Sequence, residues 1–408
     1  MRLRKRAVGL LIGAGVLFFL ATNVQAGWLF VLSAMLLGVV MVGVVMPVRA
    51  TRGAAVVRRA PAEVHQGDEV FVDVIVRGGR RLTRRGLLVH DRFLEAADLW
   101  VGTVRPGEQI EITTVRIAAR RGAHPAGHAW VRSGAPFGVA ERRRRVEVDG
   151  PCTLVLPAIE ALGQLPFVRS ATTTMAAMHT VARRGQGPEY LGIRGYRAGD
   201  SMRHVHWAST ARTGTMMVRE LEQEQTRRLA IVLDNASDAE PDARGLTPLD
   251  RVCSAAASIA LSALAHGHGA RIVSGDRGHL DVLARADEGE LLEHLALIEP
   301  TPGVNAFPDV LAGAAGSLRG VETAVLVFPT WSGNDAGALA PRVASLAERV
   351  ATVVAVPVMI GSSRRAALND ERVDGLCQRL RAAGAVVHPW KTGTSLGSAL
   401  GVADEVMP

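Results

Sequence analysis

Residues 226–238 read TRRLAIVLDNASD. After two arginines the apolar run Leu229 to Leu233 is unbroken and ends on Asp234, with no polar residue at alternate positions. A strand buried on one face only would alternate, so this run fits a strand covered on both faces of a parallel sheet. Downstream segments keep the same grammar. A helical stretch from Pro248 to Ala265 leads to ARIVSGD, and helices are expected from about Glu288 and from Phe307. The apolar strand TAVLVFP comes next, then the helix AGALAPRVASLAERV and the strand ATVVAVPVMI. The helix NDERVDGLCQRLRAAG and the strand AVVHPW close the series. This alternation predicts an open, doubly wound α/β domain over residues 229–408. Its ligand site would lie beyond the strand C-termini, where Asp234 stands. No Gly-x-Gly-x-x-Gly or Walker lysine follows the first strand, and the chain has two lysines, Lys5 and Lys391, so NTP chemistry has little support.

Upstream the period changes from helical to two. In VVRRAPAEVHQGDEVFVDVIVRGG, Val70, Val72, Val74 and Val76 share one face and Phe71, Asp73 and Ile75 the other. The runs LLVHDRF, EQIEITTVRIAA, HAWVRS and RRVEVDG come after it, separated by turns such as RPGE and RRGAHPAG. Residues 53–150 are therefore expected to form a small antiparallel β-sandwich, with Arg142 to Arg145 protecting an exposed edge strand. Residues 151–228 are expected to hold a linker and then a dense polar motif.

The N-terminus reads differently again. MRLRKR precedes AVGLLIGAGVLFFLA, a polar break TNVQ and the run GWLFVLSAMLLGVVMVGVVMPV. The second run covers 22 residues from Gly27 to Val48, about 33 Å as a helix, enough for a bilayer core. A transmembrane helical hairpin over residues 1–52 places basic groups at both outer ends and none in the turn, which puts both ends in the cytoplasm. A cleaved signal peptide ending near Ala26 is the rival reading.

The formal charge of +8 resolves along the chain. Residues 1–60 hold eight basic side chains and no acid, and the remaining residues balance at 39 against 39. Such a distribution describes a membrane flank, so no nucleic-acid partner is expected. Cys152, Cys253 and Cys377 lie far apart, which fits reduced thiols in a cytoplasmic compartment.

The motif GPEYLGIRGYRAGDSMRHVHWASTARTGTMMVRE (residues 187–220) carries the richest chemistry. Ser201, Ser209 and Thr210 could be nucleophiles with His204 or His206 as base, but no nucleophile elbow appears. His204 and His206 would share one side of a strand, with no third metal ligand at useful spacing. The remaining reading is a structural clasp between the middle region and the α/β domain. In it Asp200 pairs with Arg203 or Arg212, and Trp207 buries its ring. A partner-binding surface is the alternative use of the same arginines and tryptophan.

The motif resembles the signature of the bacterial domain-of-unknown-function 58 family through Glu189, Tyr190, Arg194, Tyr196, Gly199, Asp200, Arg203, His206, Trp207 and Arg212. APFG at 135–138 resembles a short stretch that precedes it in that family. The resemblance implies a membrane hairpin, a small β domain and a C-terminal von Willebrand factor A-like domain over residues 229–408. It further implies a non-enzymatic assembly or adaptor protein of the cell membrane, with soluble domains in the cytoplasm. Its partners would be the lipid bilayer, a MoxR-type AAA+ ATPase and a transglutaminase-like membrane protein. The metal loop of such A domains is degenerate here. Asp234 and Asp238 are the remaining acids, Ala236 interrupts the pattern, and Phe328-Pro329-Thr330 lacks the later acid, so Mg²⁺ is expected at most at a crippled site and no other cofactor is implied.

Overall fold

The structure is a computed structural model. It describes residues 1–79, 82–168, 184–196, 202, 205–222, 228–235, 246–275, 278–300, 307–318, 320–330, 336–359, 366–391 and 393–402, with backbone alone at 184–194, 219–222, 336 and 366–370. The chain divides into two compact units. The first comprises residues 1–159, 239–254 and 292–299, and the second 160–238, 255–291 and 300–408.

In the first unit, β1 (Arg2–Leu3) leads into α1 (Lys5–Val24) and α2 (Gly27–Thr51). Both helices are long and apolar enough to cross a membrane by length and composition. α1 stops where Thr22 and Asn23 donate to the Phe19 carbonyl and Gln25 turns left-handed at φ 54°. Ser33 donates to the Ala14 carbonyl at 2.8 Å, tying the two helices together, and Phe18 meets Phe30 edge-on. Gly43 is a notch in α2: a Cβ there would lie 2.9 Å from that of Val139, which packs with Ala7 and Val40.

After α2 come β2 (Ala55–Arg59), β3 (Glu63–His65), β4 (Glu69–Arg77), β5 (Arg84–Asp91), β6 (Ala97–Val104) and β7 (Gln109–Ile117). β8 (Gly122–His124), β9 (His128–Ser133), β10 (Ala140–Asp149) and β11 (Thr153–Leu156) complete the series. One sheet runs β6-β5-β9-β10-β2-β4-β7 with β1 paired to β10, and a smaller one runs β3-β11-β8. Val70, Val72, Val74 and Val76 are buried as the alternation requires.

The purely antiparallel expectation is corrected, because β2 runs parallel to β10 and β3 parallel to β11. β2 enters straight from α2 instead of through a hairpin from its neighbour, so no short connection forces it to oppose β10. The edge-strand reading of Arg142 to Arg145 is corrected in part. Along residues 142–147 β10 is paired to β9, and to β1 and β2 only at residues 140–141 and 148–149. Among the described residues no strand pairs the other side of Arg142 to Arg145, and what is corrected is only the placing of β10 as a whole at the sheet's rim.

Arginines hold this unit together. Arg84, buried, donates to the carbonyls of Ala50, Arg52 and Gly53 and so caps the C-terminus of α2. Burial, with help from Arg144, pushes its guanidinium pKa down. Arg58 and Arg116 both bond the buried carboxylate of Asp91, and Arg58 lies 4.2 Å over the Phe93 ring. Arg121 reaches the carboxylate of Asp250, far away in sequence.

In the second unit, β12 (Arg184–Gly195), α3 (Trp207–Thr213) and β13 (Met217–Glu222) form a ribbon. Next come β14 (Arg228–Leu233), α4 (Pro248–Ala265), β15 (Gly269–Ser274), β16 (Gly278–Val282), α5 (Glu288–Ala296) and α6 (Phe307–Ala314), of which residues 248–254 of α4 and 292–296 of α5 belong to the first unit. The chain ends with β17 (Thr323–Pro329), α7 (Ala336–Ala347), β18 (Thr352–Met359), α8 (Ala366–Ala382), β19 (Ala385–Val387), β20 (Trp390–Lys391) and α9 (Leu396–Leu400). The sheet order is β16-β15-β14-β17-β18-β19, with β20 beside β18, and every pairing is parallel except that of β16 with β15. Ala230 and Val232 pack with residues of α6, α7 and α8 on one face. Leu229, Ile231 and Leu233 point the other way and are equally buried, so both faces are covered, as the unbroken apolar run required.

Candidate functional site

The central motif folds as a ribbon with a short helical cap. β12 pairs with β13 from Gly195↔Met217 through Arg194↔Val218 to Tyr190↔Leu221, with register shifts on either side of Tyr190. The ladder pairs Tyr190 and Arg194, and Glu189 falls in the irregular stretch between Gly185 and Tyr190. Beyond it, Tyr196 N–H donates to the Met216 carbonyl at 2.8 Å, and Val205 bridges Val218. Gly199, Asp200 and Arg203 lie outside the described residues, as does Asp238.

The hydroxyls and the histidine of the motif are used locally. His206 caps α3, with Nδ1 accepting Ser209 N–H at 3.2 Å and standing 2.9 Å from Ser209 Oγ. Thr210 Oγ1 donates to the His206 carbonyl and accepts Met217 N–H, both at 3.0 Å. Gly214 ends the helix in the left-handed region at φ 70°, where a side chain would be strained. Ser, Thr and His thus satisfy backbone groups that a seven-residue helix leaves open at both ends.

Apolar residues sort in the opposite sense. Val205 and Val218 are buried, whereas Trp207 is 64% exposed and Tyr196, Met202 and Met216 are exposed too. Arg212 is exposed as well. The expectation that Trp207 buries its ring is therefore corrected. His206 takes the cap position, and the first helical residue after it, on a helix with no buried residue, faces outward. An outward tryptophan cannot be the packed centre of a clasp.

A second place is marked by topology. The strand order reverses between β14 and β17, and Asp234 and Asn235 follow β14 there. Both are buried. Asp234 N–H donates to the Val327 carbonyl at 3.0 Å, and Asn235 Oδ1 accepts Gly275 N–H at 3.0 Å. Thr330 Oγ1 donates to the Val358 carbonyl at 3.3 Å. Among the described residues no three His, Cys, Asp or Glu side chains stand close enough to hold a metal. The described residues thus bring one carboxylate and an amide oxygen already bonded to backbone, fewer free oxygens than Mg²⁺ takes, and Asp238 lies outside them.

The sequence reading missed the strongest polar junctions. Arg121, its side chain buried in the first unit, donates to the carboxylate of Asp250, to the Leu295 carbonyl at 3.1 Å and to the Ile298 carbonyl at 2.6 Å. Asp250 also accepts Thr247 N–H while Thr247 Oγ1 accepts Asp250 N–H. This is a capping box with Pro248 at the first helical position, and Thr-Pro-x-Asp was legible as such. In the second unit Glu160 accepts the N–H groups of Leu396 and Gly397 at the start of α9, and Ser262 donates to the Gly163 carbonyl. The start of the expected linker is thus held fast.

Residues 192–302 match the family described as "Protein of unknown function DUF58". The Bacillus subtilis (strain 168) "Uncharacterized protein YeaD" is 25% identical over 189 residues, and the match spans 43% of each chain. Among solved structures, a Deinococcus radiodurans RO (RSR) protein is 17% identical with a TM-score of 0.22, over 40% of this chain and 36% of that one. A beta-glucosidase from Listeria innocua in complex with glucose is 15% identical with a TM-score of 0.14, over 24% of this chain and 16% of that one.

Proposed function

From the match of residues 192–302 to the DUF58 family we propose a non-enzymatic, membrane-anchored assembly or adaptor protein. The observation that carries the proposal is the ribbon of residues 184–222. Among its described residues His206, Ser209 and Thr210 bond backbone of the ribbon, while Tyr196, Met202, Trp207, Arg212 and Met216 are turned to solvent. Exposed aromatic, methionine and arginine side chains are the usual anchors of a protein interface. The partner is a MoxR-type AAA+ ATPase, with a transglutaminase-like membrane protein as a further member of the assembly.

In this reading α1 and α2 form the membrane anchor, and the arginines at its open end hold the soluble domains in the cytoplasm. The second unit is a von Willebrand factor A-like domain. Its strand order, with one antiparallel edge strand, supports that assignment, and the order reversal beside Asp234 offers it a ligand crevice. The first unit's two sheets correspond to a sandwich-like β domain. Copurification after crosslinking in membranes tests the proposal. The wild-type chain recovers a MoxR-type ATPase and Trp207→Ala does not; recovery of no ATPase by the wild type overturns it.

A second reading, a hydrolase, is favoured by one distance, the 2.9 Å between His206 Nδ1 and Ser209 Oγ. It requires Ser209→Ala to abolish hydrolysis of an ester substrate while the fold persists. The cap reading requires only a small loss of stability.

A further inference from the structure

The outer face of β6, β5, β9, β10 and β1 carries a charge pattern that the fold alone does not need. Register places Arg132 directly opposite Arg143, and Arg2 opposite Glu141, so these side chains share one face. Around them lies a groove of about 540 Å³ whose wall includes Arg2, Arg92, Arg132, Arg143, Trp130 and Glu141. Glu141 is already taken by Arg4 at 2.7 Å and by Arg132 at 3.2 Å, and Asp98 by His90 at 2.8 Å. Arg143 lies 4.0 Å over the Trp130 ring, and neither it nor Arg2 has a carboxylate partner among the described residues. Like charges opposed across strands are destabilising. Guanidinium forks left open around a concave site match a phosphate.

The place of the groove identifies the source of that phosphate. Arg2 lies in β1, three residues before α1 begins at Lys5, so it stands within about 10 Å of the helix start even in extended chain. The wall is fixed to the hairpin at the same level. Val139 fills the notch at Gly43, Arg4 N–H donates to the Val139 carbonyl at 3.0 Å, and Phe137 of the adjoining loop is exposed. We propose that this groove binds the phosphate of an anionic phospholipid headgroup in the leaflet at the open end of the hairpin. Trp130 and Phe137 then sit at the level where aromatic side chains favour the membrane interface, and each open arginine adds attraction to an anionic surface.

The proposal rests on the membrane-anchor reading, and the experiment separates the two. The full chain, purified in dodecyl maltoside, is titrated with phosphatidylglycerol, phosphatidylcholine or inorganic phosphate, and bound lipid is counted by native mass spectrometry. The wild type is expected to prefer phosphatidylglycerol by about tenfold or more. Arg2→Gln with Arg143→Gln brings that preference down to the phosphatidylcholine level, and Arg77→Gln, on another strand, leaves it intact. Arg143→Lys, which keeps the charge, retains most of the preference and guards against loss of fold in the double variant. Equal binding of both lipids, or equal loss in the Arg77 variant, overturns the headgroup site. Displacement of the lipid by inorganic phosphate at equal concentration overturns the lipid as its source. Release of the wild type from membranes by alkaline carbonate overturns the anchor reading itself, and the headgroup site with it.

Discussion

Arginine and aromatic residues mark two regions of this molecule, to opposite effect. In the first unit, Arg58 and Arg116 close on Asp91 over Phe93, and all four side chains are buried. In the ribbon of residues 184–222, Trp207, Tyr196 and Arg212 are turned outward, and the buried positions go to Val205 and Val218. Residue type alone does not separate a structural junction from a recognition surface. Desolvation does, because a buried charge must find a partner whereas an exposed aromatic waits for one.

The largest effect is expected where that contrast is broken from within. Asp91→Ala strands two buried guanidinium groups and should cost about 3–5 kcal/mol of stability, read by denaturant unfolding of the purified chain; a loss below about 1 kcal/mol would mean that Asp91 is not their counter-ion. Arg121→Ala removes the donor shared by Asp250, Leu295 and Ile298, with an expected cost of about 2–4 kcal/mol in the same assay. Gly43→Val drives a side chain into Val139 and should cost about 1–3 kcal/mol, visible as a lower melting temperature in detergent.

Trp207→Ala should lie at the other end of the scale. An exposed residue, bonded to no other among the described residues, changes stability by no more than about 0.5 kcal/mol, yet as an interface anchor its loss should weaken partner recovery by about tenfold or more. A stability loss like that of Arg121→Ala would return Trp207 to the clasp reading. The smallest effect concerns pH. The hydrogen bond from Arg271 holds the Asp281 carboxyl below its ordinary value of 3.8. The stability it adds is complete above that value and is lost as pH falls through the lower folded-state value. Asp281→Asn should flatten a shallow decline in stability below about pH 4; an unchanged acid limb would assign the decline to other carboxyl groups. The pair is partly exposed, so solvent screening keeps the effect small.

Legibility followed the same division. The apolar run at 229–233 and its successors were readable as strands because burial on both faces leaves no polar position to confuse the period. β6 was passed over: Trp100 is exposed and Gly102 takes a positive φ of 75°, so its alternation is broken. The local uses of His206, Thr210 and Gly214 are short-range and could have been read as capping and turn chemistry. Arg84 and Arg121 could not, since an arginine on or beside a strand is by pattern a solvated one. Their partners at Ala50 and Asp250 are brought to them only by folding.

By itself the sequence determined where helices and strands alternate, which runs are apolar enough to be covered on both faces or to cross a bilayer, and which stretch resembles the DUF58 signature. Those properties depend on neighbours one to four residues away, within reach of periodicity. Tertiary structure alone decided that β2 runs parallel to β10, that Arg121 is brought to Asp250 at the start of α4, and that Trp207 faces solvent. Each of those outcomes depends on which distant groups compete for the same buried space, and no local pattern records that competition.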